Sequence, residues 1–139
     1  GANGIARASD GTVYVANTEG GRIVEIPVNP DGSAGTPESF VEHDRLFASD
    51  GLAIDTKDNL YVGVIGQDTV LRVTPEKTIT ELAGPEDGLD GPSDVTFGTA
   101  RGEQKSVFIT NFAFLTPPED RDPSLMKLDV GIPGRPIHP

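Results

Sequence analysis

Short runs of alternating apolar and polar residues fill this chain almost from end to end, each closed by a turn rich in glycine, asparagine or aspartate. A period of two marks half-buried β-strands. Ile5 to Ala8 ends in Ser9-Asp10-Gly11, Thr12 to Asn17 in Glu19-Gly20-Gly21, and Arg22 to Val28 in Asn29-Pro30-Asp31-Gly32. Thr36 to Glu42 supplies a fourth run, with Phe40 and Val41 as its apolar part. Glycine suits such turns because tight hairpins need positive φ. The expected element is a four-stranded antiparallel meander.

The pattern then repeats. NGIARASDGTVYVANTEGGRIVEIPV is followed by DGLAIDTKDNLYVGVIGQDTVLRVTP, so that Gly4 falls with Gly51, Tyr14 with Tyr61, Val15 with Val62, Ile23 with Val70 and Ile26 with Val73, every pair 47 positions apart. A looser copy starts at Ser93. In it Ser106 to Asn111 repeats Thr12 to Asn17, Ala113 to Ser124 is a Pro-rich insertion, and Leu125 to Val130 gives a third strand. Units of this size and strand content predict an all-β fold, a β-propeller of about three four-stranded blades, the third reading as three-stranded. The blades are expected over 1–49, 50–91 and 92–130, with a tail over 131–139 whose prolines at 133, 136 and 139 remove ladder donors. Three blades close a ring poorly. Half of a six-bladed ring is therefore expected, completed by an N-terminal half or by a second copy of the chain. A start without methionine, directly on a motif, fits a fragment or a processed product.

Charge narrows the partners. With 22 acidic against 11 basic residues the net charge is −11, which repels nucleic-acid phosphates and anionic membrane surfaces, and neither is expected as a partner. No cysteine is present, so disulfides, zinc-thiolate sites and thiol nucleophiles are excluded. No apolar run approaches the ~20 residues of a membrane-spanning helix.

In a propeller the segment entering the innermost strand of each blade lies at the mouth of the central channel. Asn3 and Asp50 hold that place in the first two blades, each followed by glycine. Plain turn chemistry accounts for either dipeptide taken alone. Recurrence at one repeat position sets ligation level with that reading, since amide and carboxylate oxygens suit hard cations such as Ca²⁺, Mg²⁺ or Mn²⁺. Ser93 and Asp94 occupy the corresponding place in the third blade and either join the mouth or hold a turn. Asn17 and Asn111 end equivalent strands and are read as strand-end bonding groups. Glu86, Asp87 and Asp90 lack EF-hand spacing and are read as a solvated loop. His43 and His138 have no Ser-acid partners, and neither a P-loop, a dinucleotide fingerprint nor HExxH occurs.

NGIA, DGTVYVANT, DGLAID, NLYV, PSDVTFG and SVFITNF together resemble the C-terminal half of the gluconolactonase / senescence marker protein family, six-bladed propellers akin to paraoxonases and strictosidine synthase-like proteins. The final SLMKLDVGIPGRPIHP resembles the ending of extended microbial members. The resemblance implies a divalent metal at the top of the channel, Ca²⁺ first with Mg²⁺, Mn²⁺ or Zn²⁺ as alternatives. Asn3 and Asp50 match two family ligands, and Asp50 matches the candidate base for the water attacking a small-molecule lactone or ester. The family's first-blade glutamate has no counterpart in these 139 residues, so a lactonase needs an N-terminal half, covalent or associated. Two other readings stand beside it: a non-catalytic propeller segment for ligand binding or assembly, and a strictosidine synthase-like protein.

Overall fold

A computed structural model describes residues 1–136; His138 falls outside the described residues. Among the described residues eleven strands form three antiparallel sheets. The first holds β1 (Ala2–Arg7), β2 (Val13–Asn17), β3 (Arg22–Ile26) and β4 (Glu38–Glu42) in sequence order. The second repeats it with β5 (Ser49–Ile54), β6 (Leu60–Val64), β7 (Thr69–Val73) and β8 (Ile79–Ala83). The third has β9 (Pro92–Phe97), β10 (Ser106–Asn111) and β11 (Ser124–Asp129). The fold is a β-propeller, and these sheets are its blades.

The alternation seen in the sequence decides what each sheet buries. Ala6, Ile23 and Phe40 of the first sheet meet Leu52, Val62, Leu71 and Val73 of the second in one core cluster. Tyr61 and Val70 use the opposite face of the second sheet to meet Val95, Val107 and Ile109 of the third. The second blade is thus apolar on both faces. Each fully buried Leu or Ile in these seams contributes about 1.5–3 kcal/mol.

Glycine sets how closely the first strands approach. A Cβ on Gly4 would fall 2.6 Å from the Leu52 backbone nitrogen, and one on Gly51 would fall 2.5 Å from the Asp94 Cα. Real Cβ atoms do not come so near to backbone. The absence of a side chain at these two positions is what lets β1 lie on β5 and β5 on β9.

The blades are also tied at the opposite end of their first strands. Asp58, in the β5–β6 turn, accepts from the Ser9 amide (3.1 Å) and hydroxyl (2.7 Å) in the first blade, and from Arg135 Nη2 (2.8 Å) in the tail. Burial pushes the Asp58 carboxyl up, but these donors outweigh it and hold the carboxyl below its usual range. Among its described residues, 131–136, the tail forms no regular strand, as Pro133 and Pro136 dictate. It makes one antiparallel bridge, Gly134 to Asp55, flanked by bonds from Thr56 N to Pro133 O and from Arg135 N to Ile54 O.

Asp55 itself is fully buried. It accepts from the amides of Lys57 (2.8 Å) and Asn59 (3.0 Å), from Asn59 Nδ2 (2.7 Å) and from the Tyr61 hydroxyl (3.0 Å). Four donors compensate a carboxylate that would otherwise be costly to bury. Burial first, and the Asp55 charge second, push the Tyr61 phenol well above its ordinary range. Asp55→Ala strips the shared acceptor from buried donors and is expected to cost about 3 kcal/mol, against about 1 kcal/mol for Tyr61→Phe, which removes one bond and leaves three. Urea unfolding midpoints of the two variants check the order.

Candidate functional site at the channel mouth

Asn3 and Asp50 lie within strands β1 and β5, not in the turns before them as the dipeptides suggested. The ladder explains how. In the first blade Ala2 pairs with Asn17 and Ile5 with Val15, so Asn3 and Gly4 together oppose Ala16 alone. In the second, Ser49 pairs with Val64 and Leu52 with Val62, so Asp50 and Gly51 oppose Gly63. In the third, Asn111 pairs with Pro92 and Thr110 with Asp94, which leaves Ser93 as the extra residue. All three first strands therefore carry a β-bulge at the same repeat position.

A bulge frees one residue from the ladder, bends the strand and re-aims its side chain. Asn3, Asp50 and Ser93 are the equivalent residues, followed by Gly4, Gly51 and Asp94. Because β1, β5 and β9 stack as neighbours through the two glycines, the three bulges sit side by side at one end of the blades. Asn3 is exposed and Asp50 half-buried.

Electrostatics single out Asp50. Its carboxyl is pushed above the usual carboxylate range, chiefly by burial and then by the nearby charge of Asp94. Asp94 stands where the repeat has glycine, and that break in the pattern was the sequence signal for the pairing. An amide at the first bulge and carboxylates at Asp50 and Asp94 are hard oxygen donors, and a cation would relieve the effect of the Asp94 charge on Asp50. The residues present thus fit part of a divalent-metal site. Among the described residues no group of three or more His, Asp or Glu gathers to hold a metal, so the remaining ligands would be water or groups from outside them.

The other polar residues singled out in the sequence have structural partners. Asn17 Oδ1 accepts from Gly20 N (3.0 Å) at its strand end. Asn111 is buried, accepting from Asp90 N (3.2 Å) and donating to Gly88 O (2.8 Å). His43 Nδ1 accepts from Arg45 N (3.1 Å) and so caps the short 3₁₀ turn Asp44–Leu46. In the loop at 86–90 Glu86 and Asp87 are exposed, as the solvated reading has it, whereas Asp90 is half-buried. Asp87 accepts from Gly84 N (2.9 Å), and Asp90 takes the Thr116 hydroxyl at 2.7 and 2.8 Å, which fastens the Pro-rich insertion to the third blade.

Residues 1–112 match the sequence profile of the SMP-30/Gluconolactonase/LRE-like region. No curated protein matches. Among solved structures the chain is similar to a luciferin-regenerating enzyme, with a TM-score of 0.75 at 17% identity over 96% of this chain and 47% of that one. It is similar also to regucalcin, a calcium-binding protein from Agrobacterium tumefaciens, with a TM-score of 0.76 at 19% identity over 96% and 47%. A gluconolactonase from Xanthomonas campestris gives 0.67 at 20% over 91% and 43%. The chain spans about half the length of these structures.

The raised pKa of Asp50 has a defined sign. The folded state binds its proton more tightly than the unfolded chain, so the ionised carboxylate is a penalty above the folded pKa and the penalty fades as pH falls through it. With divalent ions chelated, Asp50→Asn is expected to raise Tm at pH 7, and the gap from the parent chain is expected to close on acidification through the region just above the ordinary carboxylate range. Thermal melts over pH 4 to 8 in EDTA check this.

Proposed function

The chain belongs to the SMP-30/gluconolactonase/LRE-like family, and from that premise we propose that it is part of a metal-dependent hydrolase of lactone-type esters. Asn3 and Asp50 are its share of the metal ligands, and Asp50 is the residue that handles the proton of the attacking water. The observation that carries the reading is the bulge at Asp50, which takes a carboxylate with a raised pKa out of the ladder and sets it beside a second acid. Family membership and the lactonase-type propeller fold support it. The calcium-binding description of the regucalcin structure favours Ca²⁺ as the ion.

Bound between these oxygens, a divalent cation would polarise the lactone carbonyl as a Lewis acid. Lactone hydrolysis itself needs one proton moved. Water adds to the carbonyl carbon, the ring C–O bond breaks, and the product is the open hydroxy acid. The Asp50 carboxylate accepts the proton as water attacks and returns it to the departing ring oxygen. Asn3, uncharged over the whole range, supplies a donor oxygen without adding to the repulsion between Asp50 and Asp94.

Since the chain spans about half of its solved relatives, the complete activity belongs to an assembled propeller in which an N-terminal half or a second copy supplies the missing ligands. Asp50→Ala is expected to abolish the rise in Tm that CaCl₂ gives the chain, and to lower lactone hydrolysis by the completed propeller at least ~100-fold. An unchanged calcium response in the variant would remove the basis of the site. A calcium response that depends on Asp50, with no turnover of simple lactones, would instead favour a binding propeller. That second reading draws on the sparse donor set among the described residues.

A further inference from the structure

Large apolar side chains that face solvent are gathered at one end of the blades. Among the described residues Phe47, Phe112, Phe114 and Leu115 are exposed, and they stand on two connections, β4–β5 and β10–β11. Topology fixes where these lie. Each first strand starts beside its bulge and runs away from the mouth, and each second strand returns to it, so both connections are at the mouth end. The opposite end shows only Val28, and Ile5 and Leu125 lie on the outer faces of the first and third sheets. Every exposed aromatic side chain among the described residues is therefore at the mouth.

The longer connection is fastened in place. Phe112 N donates to Gly91 O (2.9 Å) and Ala113 N to Asp90 O (3.0 Å), which carries the pairing of β10 past Pro92 to the residues just ahead of the Ser93 bulge. Ala113 is buried with a φ of 52°, and the rings of its two neighbours, Phe112 and Phe114, lie parallel, with centroids 5.5 Å apart and planes inclined by 7°. Arg121 donates to Phe114 O (2.9 Å) and Thr116 O (2.8 Å), and its guanidinium lies 5.7 Å from the centre of the Phe114 ring. With the Thr116 hydroxyl on Asp90, the polar side chains that hold this segment spend their donors on the chain itself. The two rings present flat apolar surface whose ordering cost is already met. On the shorter connection Gln67 Nε2 donates to Asp44 O (2.9 Å) and Phe47 O (3.0 Å), which fixes Phe47 to the second blade in the same way.

We infer that Phe112 and Phe114 determine substrate specificity: they form an apolar subsite on the rim of the mouth that takes the substituent of the lactone ring. The substrate class is then lactones that carry an aryl or alkyl group, not polyhydroxylated sugar lactones. The inference rests on the hydrolase reading and deepens it. The stack is continuous with the candidate site, because Gly91, which pairs with Phe112, leads through Pro92 and Ser93 to Asp94, and a Cβ on Gly51 would fall 2.5 Å from the Asp94 Cα. A phenyl ring or alkyl chain laid on these faces only leaves water, whereas sugar hydroxyls laid there lose hydrogen bonds that the rings do not replace.

Four lactones of one ring size test this on the completed propeller: γ-valerolactone, γ-nonalactone, γ-phenyl-γ-butyrolactone and galactono-γ-lactone. Values of kcat/KM for the pentyl and phenyl compounds are expected to exceed those for the methyl and sugar compounds by at least ~10-fold. Phe112→Ser and Phe114→Ser are each expected to cut that preference to under about 3-fold, with the loss in KM, since a contact remote from the carbonyl holds ground and transition states alike. Val28→Ser, at the opposite end, keeps the preference. Turnover without the preference, or a preference that survives both phenylalanine substitutions, would overturn the inference and leave the hydrolase reading standing. Saturation-transfer NMR of γ-phenyl-γ-butyrolactone with the 139-residue chain reads the subsite without turnover. Phenyl protons saturated by the parent and not by Phe114→Ser support the subsite even if no lactone is hydrolysed, an outcome that removes only the hydrolase reading; absence of saturation in the parent overturns the subsite. Binding to phosphatidylcholine vesicles that both substitutions abolish, with no preference among the lactones, would assign the rim to a lipid surface and overturn the inference.

Discussion

First strands of adjacent blades can stack side by side only where no Cβ stands between them. Gly4 and Gly51 meet that demand, and the rest of the molecule follows from it. With the first strands in contact, the branched side chains of the outer strands fall at the spacing that fills the two seams. The same contact brings three bulges level with one another, so packing and candidate chemistry share one cause.

Charge is compensated unequally at the two ends of the blade. Asp50 is half-buried, and the charge of the exposed Asp94 adds to the burial that pushes its carboxyl up. At the opposite end of β5, Asp55 and Asp58 are surrounded by donors that compensate their burial. Two acids at one end of the blade are satisfied, and Asp50 at the other is held in tension. Uncompensated charge of that kind concentrates at functional sites.

Strand count, blade order and the seams were legible in the sequence because burial on a sheet has a period of two and the repeat has a constant offset. Gly4 and Gly51 could be aligned by eye, and the core positions followed. The bulges were not legible. A strand with one extra residue differs from a strand preceded by a turn only in its hydrogen bonds, and Asn-Gly and Asp-Gly are common to both. The Asp55 network was also missed, although Asp55 stands where the first blade has Ala8, and an acid at an apolar repeat position is a signal of buried polar structure. Asp90 looked solvated because its partner, Thr116, lies 26 positions away across an insertion with no repeat counterpart.

The bulges have a consequence for how such a protein diversifies. A residue outside the cross-strand pairing has no fixed neighbour that must change with it, so the three blades carry asparagine, aspartate and serine at one position while their cores keep the same register. Selection can rewrite the bulged end of each blade one codon at a time, and the sheet beneath neither slips nor repacks. A scaffold with its variable letters set apart from its structural ones can change the surface it presents there without refolding.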